Sequence, residues 1–149
     1  MTWLLDNNVL SEWWKPNPDP KVVAFLQAGG WAVPAPVIAE IQEGAEADPS
    51  PARRIQTNAS LDEFLRDYGD VLVINFDAET ARTWGRLKHS QYVKRQPQPL
   101  WDNLIDAMAV RYGLIIATRN EKDFRHAKTF NPWQSEPEKS KPSSSEPPA

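Results

Sequence analysis

Three short apolar runs constrain this chain more than any other feature. Trp3-Leu4-Leu5, Val71-Leu72-Val73-Ile74 and Leu114-Ile115-Ile116-Ala117 are apolar at every position and too brief to be core helices. Strands buried on both faces read this way, as strands of a parallel sheet do. Helical signals fill the intervals. A short turn of helix is expected from Val9 to Trp14, with Asn8 as its cap. Asp19-Pro20 sets a capping side chain before proline at a first helical position, and Gly29-Gly30 ends that helix. Trp31-Ala32-Val33 reads as a second strand, and Pro36 opens a helix carrying Val37, Ile38, Glu40, Ile41 and Glu43. From Ala52 to Tyr68 an amphipathic helix is predicted, with Ile55, Leu61, Phe64, Leu65 and Tyr68 on one face. Val71–Ile74 is the clearest strand and is expected at the centre of the sheet. Asp77 caps a helix reaching about Val93, Leu100 to Arg111 forms another with Gly113 as its stop, and Thr129-Phe130 is a short last strand. Strands alternating with helices predict a single α/β domain, its central parallel sheet flanked by helices on both faces.

That domain is expected over residues 1–133. From Gln134 the chain reads QSEPEKSKPSSSEPPA, without a large apolar residue, so 134–149 is predicted to be a disordered tail. The chain has no cysteine, which excludes disulfides, thiolate zinc sites and a catalytic thiol. Its N-terminus lacks the basic start of a signal peptide, and no apolar run approaches the ~20 residues that span a bilayer. A cytoplasmic protein with no membrane partner is expected. The net charge of −3 counts against a nucleic-acid partner, unless bound cations reverse the local field of the acids. Neither a Gly-x-Gly-x-x-Gly nor a Walker-type loop is present, so nucleotide binding has no support.

Parallel sheets bind ligands beyond the carboxyl ends of their strands. Asp6 ends the first strand there. Alone, it reads best as a helix cap. Glu40 is a charge within an otherwise apolar helix face, which calls for a partner or a metal. Asp102 opens a helix, where an acid also serves the helix dipole, and Asp106 follows one turn later. Two carboxylates one turn apart repel unless a cation lies between them. Thr118-Arg119-Asn120 and Asp123 follow the Leu114–Ala117 strand and add oxygen donors. His89 and His126 read as surface residues. An all-oxygen set of this kind suits Mg²⁺, with Mn²⁺ as a substitute, and not zinc. Phosphodiester hydrolysis needs such a site: the metal positions and deprotonates a water and stabilises the leaving oxygen.

The same segments resemble the motifs of PIN-domain proteins. Leu4-Leu5-Asp6-Asn7-Asn8-Val9-Leu10-Ser11-Glu12 is similar to the family's opening motif. Pro36-Val37-Ile38-Ala39-Glu40-Ile41 with Gly44 is similar to its second acidic segment, and Leu100 to Ile105 with Ala109 to its third. Ala117-Thr118-Arg119-Asn120 with Asp123-Phe124 matches the fourth, and Phe130-Asn131-Pro132-Trp133 resembles the close of the VapC-type toxin branch. The resemblance implies a Mg²⁺-dependent endoribonuclease acting on single-stranded RNA. It further implies a VapB-type antitoxin that blocks the site, and commonly a homodimer. By position the family's acids fall on Asp6, Glu40 and Asp102, with the fourth on Asn120 or Asp123. Asp6 and Asp102 would be the principal metal ligands, Glu40 would hold metal or activate water, and Asn8 would organise the site. Three departures stand out. Asn7 replaces a hydroxyl residue, Asn120 is an amide where many relatives have a carboxylate, and Asp106 is an added acid that either supplies a ligand or faces solvent.

Two other readings compete. A phosphatase of the haloacid dehalogenase type would use Asp6 as nucleophile, but it needs a second acid where Asn8 stands. A non-catalytic binding module predicts that asparagine at position 6 or 102 leaves function intact. Trp13, Trp14 and Trp101 near the acids offer stacking surfaces for unpaired bases, although core or interface packing is the commoner role.

Overall fold

The computed structural model describes residues 1–89 and 98–134. Strand β1 (Trp3–Leu5) lies at the centre, hydrogen-bonded in parallel to β2 (Trp31–Pro34) on one side and β4 (Ile115–Ala117) on the other. Trp3 stands opposite both Trp31 and Ile115. The two edges are β3 (Val73–Ile74) and β5 (Thr129–Phe130), giving the parallel order β3-β2-β1-β4-β5. The chain thus builds outward from β1 in one direction and then returns to build in the other. The point of reversal is the gap between β1 and β4, where sheets of this class form their binding crevice.

Helices make the crossovers. After β1 come α1 (Asn7–Leu10), a 3₁₀ turn (Ser11–Trp14) and α2 (Pro20–Ala28). Next, α3 (Ala35–Ala47) and α4 (Pro51–Leu72) join β2 to β3, while α5 (Ala78–Lys88) and α6 (Leu100–Tyr112) lie between β3 and β4. Asp19 caps α2 by accepting the Lys21 N–H, and the chain leaves that helix through Gly29 and Gly30, whose φ values of 76° and 79° suit residues without a Cβ. Leu4, Leu5, Val9, Leu10, Val33, Ile105, Met108 and Ile116 are fully buried between the layers.

Several local expectations need correction. The first helix starts at Asn7, and its cap is Asp6, whose Oδ1 accepts the Asn7 N–H at 2.8 Å, instead of Asn8. Val71–Ile74 is not a central strand. Helix α4, capped by Ser50 with Pro51 at its start, continues through Leu72 and leaves two residues to pair at the sheet edge, and Val71 is 77% exposed. On α4 only Leu61 and Phe64 of the expected apolar face are buried; Ile55, Leu65 and Tyr68 are exposed. Helix α5 is capped by Asp77 as expected and is described to Lys88, with its expected continuation to Val93 outside the described residues. The tail expected from Gln134 likewise lies outside them beyond that first residue. No helix among the described residues is long and apolar enough to cross a membrane.

Candidate active site

At the reversal point the ends of β1 and β4 are stitched by side chains. The Asp6 N–H donates to the Ala117 carbonyl, continuing the ladder by one residue. The Asp6 carboxylate, 5% exposed, then accepts from the Thr118 hydroxyl at 2.7 Å and from the Asn8 amide at 3.3 Å. Thr118, fully buried just beyond β4, accepts the Asn120 N–H on the same oxygen. Asn8 completes a bridge, its Oδ1 accepting the Arg119 N–H at 3.2 Å. Asn8 therefore links the Asp6 carboxylate to the backbone just beyond β4. As an amide donor to Asp6 it has no carboxylic proton to give, which removes the acid that a haloacid-dehalogenase phosphatase needs.

Burial pushes the Asp6 carboxyl above the usual carboxylate range; Thr118, Asn7 and Asn8 oppose the shift, and the charge of Asp123 adds to it. Glu40, half-buried on α3, is raised first by burial and then by Asp6, against an opposing Asn7 amide. One of its oxygens, Oε1, is buried with no hydrogen-bond partner. Glu43 is exposed but still adds its charge to Glu40. Asp102 sits in the first turn of α6, where the helix dipole favours its anion. Burial nonetheless dominates, and with the charges of Asp6, Asp123, Glu40 and Asp106 it pushes this carboxyl up to about 7.

The structure thus brings Asp6, Glu40, Asp102 and Asp123 into one field, from β1, α3, α6 and the 3₁₀ turn Glu121–Asp123. Of the two residues at the fourth motif, Asp123 acts on Asp6 and Asp102, while Asn120 is exposed and begins the 3₁₀ turn. Among the described residues, no three His, Asp or Glu side chains are grouped closely enough to hold an ion as they stand. The donor set nevertheless fits a hard divalent cation: it is all oxygen, its charges reinforce one another, and a buried Glu40 oxygen lacks a partner.

Asp106 neither faces solvent nor joins that set. It is 1% exposed and accepts the backbone N–H groups of Arg125, His126 and Ala127. His126 is not a surface residue either, since its ring nitrogen lies 3.0 Å from Asp106 Oδ2. His89 is exposed beyond the end of α5, as expected. Trp13 and Trp14 line a groove against α4 with Phe64, Tyr68, Glu63 and Asp67, and Trp101 is half-buried on α6. Sequence reasoning missed Gln98, whose amide donates to the Asp123 carbonyl at 2.7 Å. No local pattern marks a contact across 25 positions. The role of Thr118 had a signal, a hydroxyl directly after a buried strand.

Comparison with known proteins adds an independent view of this arrangement. A model of the PIN domain family matches residues 3–129. Among curated proteins, the chain is 31% identical over 142 residues to the VapC ribonuclease Y4jK of Sinorhizobium fredii, covering 88% of this chain and 97% of that protein. It is 26% identical over 135 residues to toxin FitB of Neisseria gonorrhoeae, covering 87% and 97%. Among solved structures, FitAcB from Neisseria gonorrhoeae superimposes with a TM-score of 0.72 at 26% identity, over 90% of this chain and all of that one. VapBC2 from Rickettsia felis, bound to a DNA fragment from its promoter, shares the fold with a TM-score of 0.70 at 22% identity, over 88% of this chain and 98% of that one.

Proposed function

This chain belongs to the PIN-domain family, and on that premise we propose that it is a Mg²⁺-dependent endoribonuclease cutting single-stranded RNA, the toxin of a toxin–antitoxin pair. The observation that carries the reading is the field shared by four carboxylates at the reversal point of the sheet, where burial, and then the neighbouring acids, push Asp102 up to about 7. Clustered acids of this kind are unfavourable for folding alone and become useful when a cation neutralises them. Likeness to a VapC ribonuclease and to toxin FitB supports the toxin role.

Asp6 and Asp102 would hold Mg²⁺, or Mn²⁺ in its place, with Glu40 and Asp123 completing the acidic set. The bound ion would polarise the scissile phosphate and lower the pKa of an attacking water. Thr118 and Asn8 hold the Asp6 carboxylate in one orientation, so that it enters the reaction already placed. Glu40, raised first by burial and then by Asp6, has a buried oxygen without a hydrogen-bond partner on which it would take up a proton from the attacking water. Asn120 offers an exposed amide to substrate at the rim. The substrate leaves no imprint on the protein in this reading: attack is in line, and no enzyme-bound intermediate forms. A VapB-type antitoxin would restrain the enzyme by covering the site, and a cytoplasmic homodimer is the expected working form.

The test is cleavage of a labelled single-stranded RNA pool and of total transfer RNA by purified protein, with and without Mg²⁺, beside Asp6→Asn. Metal-dependent cutting that falls to background in the variant supports the nuclease. Equal behaviour of wild type and variant with every metal tried would remove the enzyme reading in favour of a binding module.

A further inference from the structure

Asp106 and Gln98 form a clamp that no part of the proposed chemistry uses. Asp106 lies one turn after Asp102 on α6, on the buried side of the helix. A buried carboxylate is costly unless its lone pairs are engaged. Here both oxygens are taken. The Ala127 N–H donates to Oδ1 at 2.9 Å, the His126 N–H to Oδ2 at 3.1 Å and the Arg125 N–H to Oδ2 at 3.2 Å. The His126 ring adds a contact to Oδ2 at 3.0 Å, and the Gln98 amide a long one at 3.5 Å. Three successive amides turned toward one anion form a nest. Any ion seeking Asp106 as a ligand would have to displace them.

Gln98 reaches the same loop from the other side. Its Nε2 donates to the Asp123 carbonyl at 2.7 Å, while its Oε1 accepts from the buried Asn103 amide at 3.1 Å. The loop is thereby fixed at both ends around Asp123. Thr118 ties its beginning to Asp6, and Asp106 ties its end to α6, the helix that carries Asp102. The spacing between Asp102 and Asp123 is then set by one rigid turn of helix and a nest, instead of by a free loop.

We propose that Asp106 is a positioning residue, assisted by Gln98, that holds Asp123 against Asp102 and so sets the affinity of the acidic site for its divalent ion. The inference rests on the metal-dependent reading but is tested without RNA. Mn²⁺ binding would be measured by calorimetry on full-length wild type, Asp106→Asn, Gln98→Ala, Asp123→Asn and the Asp106→Asn/Asp123→Asn double variant. Thermal melting would establish that each is folded at the titration temperature. Loss of a residue that orients a ligand weakens metal affinity by about tenfold or more. That loss is expected for Asp106→Asn, a smaller one for Gln98→Ala, and no further loss when Asp106→Asn is added to Asp123→Asn. A merely structural role would lower the melting point but leave the affinity of the folded protein unchanged and the pair additive. Either of those outcomes overturns the proposal. Should Asp106→Asn fail to fold, Gln98→Ala alone decides, with wild-type affinity counting against. A wild type that binds no Mn²⁺ overturns the proposal together with the metal site. A wild type that binds Mn²⁺ but cuts no RNA removes only the nuclease.

Discussion

Two residues at the site combine opposite demands. Asp102, raised to about 7, stays protonated in the folded, metal-free protein at pH values where the unfolded chain, with its ordinary value of 3.8, is ionised. Between these values the folded state binds more protons, so stability falls as pH rises through the window and levels off above it. Solvent screening at this half-buried group keeps the effect to roughly 1 kcal/mol. In EDTA, Asp102→Asn is therefore expected to have a higher urea midpoint than wild type at pH 8 and about the same midpoint at pH 4; equal differences at both pH values would contradict the shift. Thr118 works the other way, supplying the hydroxyl that stabilises the buried Asp6 anion at 2.7 Å. Thr118→Val keeps the shape and leaves that oxygen short of a donor, a loss of about 1–3 kcal/mol. Thr118→Ser should recover most of it in thermal melts, and a serine variant as unstable as the valine one would place the role in packing instead.

At the scale of elements, sequence was most informative where a signal was local and complete. The Asp19-Pro20 start and Gly29-Gly30 stop bound α2 as read, because cap, proline and positive-φ glycines all act within the helix they delimit. Likewise, Trp3–Leu5 and Ile115–Ala117 are strands because buried apolar runs between turns have few alternatives. The run Val71–Ile74 failed for a reason beyond its own residues: an apolar segment at the end of a long helix fits either state, and tertiary pairing with β2 takes only Val73 and Ile74. Asp6 and Asp102 were visible by position at a strand end and a helix start, and Glu40 as a charge within an apolar helix face. Asp106 was ambiguous because its partners lie about 20 positions away in a loop without pattern. The boundary of α4 makes a prediction of its own. Val71→Lys should change the unfolding free energy measured in urea by no more than about 0.5 kcal/mol, as for an exposed helix surface. Val33→Lys, a charge at a fully buried position of β2, should leave no folded protein in circular dichroism. Comparable damage from both substitutions would mean that Val71 is a core strand residue after all.

The whole molecule places its acids on both sides of the sheet reversal. Asp6 comes from the central strand, Glu40 from α3 after β2, Asp102 from α6, and Asp123 from the turn after β4. These segments are far apart in sequence and meet only when the sheet is assembled, so the unfolded chain offers an ion no comparable site. A divalent ion that binds there must stabilise the fold by mass action, by about 2.7 kcal/mol at a hundredfold excess over its dissociation constant. For a chain of this length that corresponds to a rise of roughly 5–10 °C in melting temperature. Mg²⁺ or Mn²⁺ should produce that rise, and potassium chloride at equal ionic strength should produce little of it, because screening acts on exposed charges over long distances more than on a buried cluster. Asp6→Asn should lose most of the rise, since it removes the carboxylate proposed to hold the ion from the centre of the sheet. Asp102→Asn should lose it too, while starting from a higher metal-free melting temperature at pH 8, because the repulsion that the ion would relieve has already been removed. That pairing, greater stability without metal and less gain with it, separates a binding site from general electrostatic strain. A rise of equal size in wild type and both variants would mean that the ion acts elsewhere on the protein.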